Sequence, residues 1–292
     1  MTAEQAHGAG GAHGGREEVR TLVVRGLQAR VAVRPARGRL VAEPPLLLCN
    51  GIGASLEALQ PLVDHLDADR GVVRFDVPGV GGSQPPPFPY PIAALASWVT
   101  RLMGQLGHER FDVLGLSWGG GLAQQLAVQS RRHVRRLVLV ATGTGFLMVP
   151  AHPRVLGKML TPRRHRDPEY AASIAAEIYG GTMRTDPTRG ADLLHATTRS
   201  GPKRGYYYQL AAMTGWSSLP FLHLVRQPTL VMGGDDDPII PEANPRLQAR
   251  LIPEARLHVY RGGHLAILTE ADQLAPIVEA FLSEQSPSEE TP

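Results

Sequence analysis

Gly115-Leu116-Ser117-Trp118-Gly119 is the segment that most constrains this chain. It follows the run Phe111-Asp112-Val113-Leu114. It precedes Gly120-Gly121-Leu122-Ala123-Gln124-Gln125-Leu126-Ala127, a stretch compatible with a helix. The pattern G-x-S-x-G between a strand and a helix predicts a sharp turn that carries the serine at its apex. A serine on so tight a turn sits in strained backbone. The glycines two residues to either side must lack Cβ for strand and helix to approach. The hydroxyl then stands exposed at the end of a sheet. The N-terminus of the following helix, with free N–H groups and the positive dipole end, faces the same place.

A serine hydroxyl at its free pKa is a poor nucleophile. It needs a histidine to take its proton and a carboxylate to fix that histidine's tautomer and stabilise its cation. Both follow in chain order. Pro228-Thr229-Leu230-Val231-Met232 reads as a short buried strand, and Gly233-Gly234-Asp235-Asp236-Asp237-Pro238 after it as a turn bearing carboxylates. Arg256-Leu257-His258-Val259-Tyr260 reads as another strand, followed by Gly262-Gly263-His264. Three adjacent like charges cannot all converge on one imidazole. Asp237 is assigned to it, because it lies past the turn and just before a proline that fixes the backbone. Asp235 is expected to hold the turn by local hydrogen bonding and Asp236 to be solvated. The plainer reading makes the cluster an exposed acidic turn.

The chain has 11 histidines, so His264 has to be separated from the rest. His7 and His13 lie in a Gly-rich tail, His133 and His165 in arginine runs, His258 within a strand, and His223 in an apolar stretch. Only His264 follows Gly-Gly at a strand end and precedes a run, Leu265-Ala266-Ile267-Leu268, that can start a helix. A further turn, Asn50-Gly51-Ile52-Gly53, follows the apolar run Leu46-Leu47-Leu48-Cys49. Backbone N–H groups of Ile52 and Trp118 are the expected donors to an oxyanion at the serine, and such donors contribute about 10²–10³ in rate each. A phosphate cradle is the competing reading of that turn. It lacks the further glycine of a dinucleotide site and the lysine of a P-loop.

With Phe75-Asp76-Val77-Pro78-Gly79-Val80-Gly81-Gly82-Ser83 added, these segments resemble the α/β-hydrolase pattern. More narrowly, the chain is similar to intracellular poly(3-hydroxyalkanoate) depolymerases acting on medium-chain-length polymer. That narrower likeness rests on Ile178-Tyr179-Gly180-Gly181, on Arg199-Ser200-Gly201 running to Gly205-Tyr206-Tyr207-Tyr208-Gln209-Leu210, and on Gly215-Trp216-Ser217-Ser218. It covers roughly residues 19–283. The resemblance implies an α/β-hydrolase fold, with a mostly parallel, doubly covered sheet and an inserted lid domain. It further implies serine-esterase cleavage of a polyester to hydroxyacyl oligomers or monomers by Ser117, Asp237 and His264. No metal or organic cofactor is needed for that chemistry. A small-ester esterase, lactonase or C–C bond hydrolase with the same three residues remains open, as does a non-catalytic ligand- or granule-binding member of the fold. Dehalogenase and epoxide-hydrolase chemistry is disfavoured, because both place a carboxylate where Ser117 stands.

Composition agrees. The 292 residues are 43% hydrophobic, enough for one large α/β domain with an insertion. A net charge of +3, from 30 basic and 27 acidic residues, does not suggest nucleic-acid binding. The clusters Arg131-Arg132-His133-Val134-Arg135-Arg136 and Pro162-Arg163-Arg164-His165-Arg166 read as solvated faces, or as contacts to an anionic granule surface or partner. The single cysteine, Cys49, excludes an internal disulfide and fits a reducing, cytoplasmic compartment; it reads as a small core residue. No secretory signal is visible, and no apolar run approaches the roughly 20 residues of a membrane span.

The organisation follows from the pattern. Residues 1–18 and 286–292 read as disordered tails. A hairpin is expected within Val19–Val33. Buried parallel strands are expected at Leu46–Cys49, Val72–Asp76, Phe111–Leu114, Leu137–Ala141, Thr229–Met232 and Leu257–Tyr260, with helices between them. Residues 19–145 and 226–285 form the two parts of the core. Residues 146–225, where the alternation breaks, form a lid inserted after the sixth strand. The lid's Tyr179, Tyr206, Tyr207, Tyr208, Trp216 and Phe221 are either its own core or an apolar wall for an acyl chain, with Tyr206 and Trp216 the candidate substrate contacts.

Overall fold

The computed structural model describes residues 17–188 and 201–284. Both expected tails lie outside those residues apart from Glu17 and Glu18, as do Arg199 and Ser200 of the depolymerase-like stretches. Eight strands form one sheet: β1 (Glu18–Val24), β2 (Leu27–Arg34), β3 (Leu46–Cys49), β4 (Val72–Phe75), β5 (Phe111–Leu116), β6 (Val134–Val140), β7 (Thr229–Gly234) and β8 (Ala255–Tyr260). Their order across the sheet is β1-β2-β4-β3-β5-β6-β7-β8. β2 pairs antiparallel with β1 and with β4, and every pairing beyond β4 is parallel. The first strand begins one residue earlier than expected, Glu18 pairing with Val33. The preceding Glu17 carboxylate is held by buried Arg74.

The central strands are covered on both faces, and alternation along them sorts side chains into two cores. Leu46 and Leu48 of β3, Leu114 and Leu116 of β5, and Val138 and Val140 of β6 join one core. That core is closed by α1 (Gln60–His65), α8 (Ala266–Thr269) and α9 (Ala271–Leu282). Leu47 and Cys49, Phe111 and Val113, and Leu137 and Leu139 join the other. It is closed by α2 (Ile92–Gln105), α3 (Trp118–Gln129) and α7 (Ala243–Leu251). In α2, Ile92, Leu95, Ala96, Val99, Leu102 and Met103 fall on one face at helical spacing, and all are buried. Every residue of β3 is fully buried. Each such leucine contributes about 1.5–3 kcal/mol, so the strand that carries Ile52 at its end is an anchored element.

The first arginine cluster departs from the sequence reading. Arg131 and Arg132 are exposed as expected, but the second half of the cluster is the start of β6. Arg135 forks onto Asp112 of β5, at 2.9 and 2.7 Å, and reaches Glu43 at 2.6 Å. Arg136 is buried and lies over the Phe281 ring, 5.3 Å from its centroid. Pairing with a fully buried carboxylate lets two adjacent arginines occupy a strand.

The chain between β6 and β7 adds α4 (Pro153–Met159), α5 (Pro168–Tyr179) and α6 (Lys203–Met213). α5 shows why helices form there. Asp167 caps it by accepting from Tyr170 N at 3.0 Å, Pro168 opens its first turn, and Gly180 (φ 62°) ends it. Among the described residues, no helix is long and apolar enough to cross a membrane.

Replacing Arg135 by Ala removes the partner of a fully buried carboxylate, so unfolding free energy is expected to fall by about 3–5 kcal/mol in denaturant titrations. A loss below about 1 kcal/mol, the scale of a surface ion pair, would show that Asp112 is not paired as described.

Candidate active site

Ser117 is where the strand-to-helix turn demands it. Its backbone has φ 53° and ψ −117°, a region that costs a non-glycine residue about 1–3 kcal/mol. Three hydrogen bonds hold it there. Its N–H donates to Val140 O (2.9 Å), and its carbonyl accepts from Gly120 N (2.9 Å) and from the Thr142 hydroxyl (2.7 Å). The flanking glycines permit the close approach. A Cβ on Gly119 would lie 2.1 Å from the Cys49 carbonyl oxygen, and one on Gly115 would lie 2.5 Å from Gly119 O.

Ser117, His264 and Asp237 are brought together across 147 and 27 residues of chain. Ser117 Oγ lies 2.9 Å from His264 Nε2, and His264 Nδ1 lies 2.8 Å from Asp237 Oδ2. The other Asp237 oxygen accepts from Ile239 N and Ile240 N, both at 2.9 Å. That carboxylate is therefore fixed in orientation and offers its free edge to the imidazole. His264 and Asp237 are buried, and Ser117 is half-exposed.

The other two aspartates serve the loop. Asp235 accepts from Gly262 N at 3.0 Å, the turn-holding role expected of it. Asp236 is not simply solvated. It accepts from Gly181 N at 2.7 Å and from both Nε and Nη2 of Arg184, at 2.6 and 2.7 Å. The Arg184 guanidinium holds its carboxyl below the ordinary range. The sequence could not disclose this, because the partner lies 52 residues away in the inserted segment.

Tyr179-Gly180-Gly181 is the dock of that segment. A Cβ on Gly180 would lie 2.0 Å from Asp236 O, and one on Gly181 would lie 2.2 Å from Gly263 N. His264 N donates to Tyr179 O at 2.7 Å, and the Tyr179 ring stacks on the His264 ring at 6.4 Å. One glycine pair thus locks the insertion onto both loops that carry Asp237 and His264.

Ile52 lies in the loop after β3, and Trp118 directly follows Ser117. Gly51 packs beside Ser117, its Cβ position 3.7 Å from the serine Cβ. Trp118 is the first residue of α3, where the N–H has no intrahelical acceptor. Gln209, which the sequence reading passed over, ties the two together. Its Oε1 accepts from Gly53 N at 2.8 Å, and its carbonyl accepts from the Trp118 indole at 2.8 Å. Asp76, also buried, holds the far end of the same loop through Leu56 N at 2.7 Å. Cys49 is buried beneath, and burial pushes its thiol up, away from thiolate chemistry.

A cavity opens over Ser117 and His264. Ile52, Ala54, Ala58, Leu116, Ile239, Leu265 and Leu268 form its walls, with Met159, Arg164, His165 and Tyr179 from the insertion. The two candidate substrate contacts are not among them. Trp216 turns away. Its indole donates to Gln125 of α3 at 2.8 Å and packs edge-on against Phe221, sealing the insertion to the core. Tyr206 lies behind Arg164, accepting from it at 2.8 Å and donating to Met159 O. Within the second basic cluster, Arg164 and His165 are buried against the cavity rather than solvated.

The chain belongs to the alpha/beta hydrolase fold family, whose model matches residues 44–271. Within it, the chain is 46% identical to a poly(3-hydroxyalkanoate) depolymerase of Ectopseudomonas oleovorans over 267 residues, covering 91% of this chain and 93% of that one. It is 28% identical to the 2-hydroxy-6-oxo-2,4-heptadienoate hydrolase of Pseudomonas putida, over 82% of this chain and 89% of the relative. Among solved structures, the enol-lactonase of Burkholderia xenovorans LB400 superposes with a TM-score of 0.77 at 25% identity, covering 91% of this chain and all of that one.

Proposed function

We propose that this chain is a serine hydrolase that depolymerises medium-chain-length poly(3-hydroxyalkanoate). The observation that carries the reading is the unbroken Asp237–His264–Ser117 relay at the floor of a largely apolar cavity. The 46% identity to a depolymerase over nearly the whole chain directs it to a polyester.

In this reading Ser117 Oγ attacks the ester carbonyl while His264 Nε2 takes its proton. Asp237 keeps the Nδ1 proton of His264 in place and stabilises the imidazolium. The N–H groups of Ile52 and Trp118 bind the tetrahedral oxyanion, held at their spacing by Gln209. His264 then protonates the departing hydroxyl, and water releases the acyl group from Ser117 by the same route. The insertion, residues 146–225, acts as the lid. Its Met159, Arg164, His165 and Tyr179 roof the cavity. The single buried cysteine supports an intracellular setting. Granule association is part of the proposal. Phe146, Leu147, Val149, Leu156 and Leu160 of the insertion are exposed, an apolar surface suited to a polymer. A small-ester esterase or lactonase is the second reading, favoured by the enol-lactonase likeness.

Ser117→Ala is expected to remove turnover without loss of fold, and Asp237→Asn to lower kcat by about 10⁴ through the wrong histidine tautomer. Asp236→Asn keeps one acceptor oxygen for Gly181 and is expected to stay within about tenfold of wild type, because misplacement rather than chemistry is at stake. Steady-state kinetics decides. A mild Asp237→Asn beside a crippling Asp236→Asn would reverse the assignment.

For p-nitrophenyl esters, kcat/KM is expected to rise from two-carbon to eight-carbon acyl chains, since an apolar pocket gains about 1–3 kcal/mol per methylene at most. Met159→Trp, which fills the cavity, is expected to depress octanoate more than acetate. A preference for acetate, with no product from medium-chain polyester, would leave the esterase reading standing and end the depolymerase one.

Phe146→Ser combined with Leu160→Ser is expected to reduce co-sedimentation with purified polyester granules while p-nitrophenyl octanoate is still turned over. Undiminished co-sedimentation would exclude this surface as the granule contact.

A further inference from the structure

One corner of the cavity is not apolar. Arg164 is only 2% exposed, and it lines the same space as Ser117 and His264. Its guanidinium donates to the Tyr206 hydroxyl at 2.8 Å and is also hydrogen-bonded to Tyr179, while the Tyr206 ring lies 5.4 Å from its Cζ. Among the described residues its Nε has no partner. Burial pushes both phenols up, so both are neutral at pH 7 and supply no charge. Among the described residues, no carboxylate pairs with Arg164.

Arg70, Arg74 and Arg135, whose side chains are also buried, are treated differently. Arg70 is paired with Glu279 at 2.7 Å, Arg74 with Glu17 at 2.5 Å and Arg135 with Asp112 at 2.7 Å. Burying an uncompensated cation is costly, and a buried charge is ordinarily paired. At Arg164 the surroundings supply orientation, from two tyrosines, but no counter-charge. Arg164, with this unpartnered Nε, belongs to the lining of the cavity over Ser117. A planar guanidinium matches a carboxylate in two-pronged geometry.

Resting on the depolymerase reading, we propose that Arg164 is a carboxylate subsite that seats the free acid end of a 3-hydroxyacyl chain, so that the ester nearest that end is the one presented to Ser117. Such a chain is neutral along its length and carries one carboxylate, at its terminus. In the terminal unit that carboxylate is a few bonds from the ester oxygen that leaves. Tyr179 touches both Arg164 and the ring of His264, the group that protonates the leaving oxygen.

The step balances. The bond between the acyl carbon and the oxygen of the terminal unit breaks as the Ser117 Oγ–acyl bond forms. The serine proton passes through His264 to that oxygen, releasing a 3-hydroxyacid. Water then cleaves the acyl-serine, giving the shortened chain a new terminal carboxylate. That product is itself a substrate for the same subsite.

The test uses a dimer of 3-hydroxyoctanoate, once as the free acid and once methyl-esterified at its carboxyl end. Release of the terminal unit from the internal ester is followed by chromatography. Wild type is expected to prefer the free acid in kcat/KM by about tenfold to a hundredfold, the range of a hydrogen bond to a charged group. In Arg164→Met the acid-to-ester ratio is expected to fall to near one, and in Arg164→Lys to lie between. Both substrates are read on one preparation, so a purely structural defect lowers both rates and leaves the ratio unchanged; an unchanged ratio in folded Arg164→Met overturns the proposal. If that variant does not fold, wild type alone decides, because equal rates on acid and methyl ester overturn it too. Failure to cleave either dimer while p-nitrophenyl octanoate is hydrolysed removes the polyester reading, and this inference with it.

Discussion

The site depends on one backbone contact, the passage of α3 against the end of β3. At Gly119 the two chains run so close that a single added methyl would meet the Cys49 carbonyl at 2.1 Å. That approach sets the N-terminus of α3 beside the loop that carries Ile52. It puts Ser117 in a conformation no relaxed chain would choose. The strain persists because Val140, Gly120 and Thr142 all bond the backbone of the same residue. A strained residue held by fixed neighbours is already placed for reaction, which is how a rigid fold lends precision to a mobile hydroxyl.

A second layer of constraint comes from the insertion. It docks by close backbone approach as well as by side chains. Gly180 and Gly181 press against the loops of Asp237 and His264, Tyr179 O takes the His264 N–H, and Gln209 spans Gly53 and Trp118. Every loop bearing a candidate reacting group is therefore tied to residues 146–225 as well as to the sheet. The segment between β6 and β7 thus helps to hold the three residues in register. Substitutions in it are then expected to reach catalysis and selectivity together.

Much of the fold was legible because the signals were local. Strand β3 was read to the residue, and β4, β5, β7 and β8 to within two residues at each end, since apolar runs of that length between glycines and prolines fit a sheet buried on both faces. The start of β6 was hidden by Val134-Arg135-Arg136. Charge normally signals solvent, and only the buried Asp112 on a neighbouring strand reverses that. The same blindness applied to Arg164 and His165, read as solvated and found against the cavity, and to Asp236, whose partner Arg184 comes from the insertion. Trp216 and Tyr206 were chosen as aromatics of a lid. Aromatic content says how much surface an element can bury, and not which way each ring turns.

The sequence by itself determined the elbow at Ser117, the order in which serine, aspartate and histidine occur, and the class of fold, because turn chemistry and hydrophobic periodicity act over a few residues. Tertiary structure alone decided that Asp236 meets Arg184. It also decided that Gln209 accepts from Gly53 N and from the Trp118 indole, and that Arg164 lines the cavity with no carboxylate partner among the described residues. Those outcomes turn on distances between groups dozens of residues apart, set by how the insertion packs on the sheet, and no local pattern encodes such a distance.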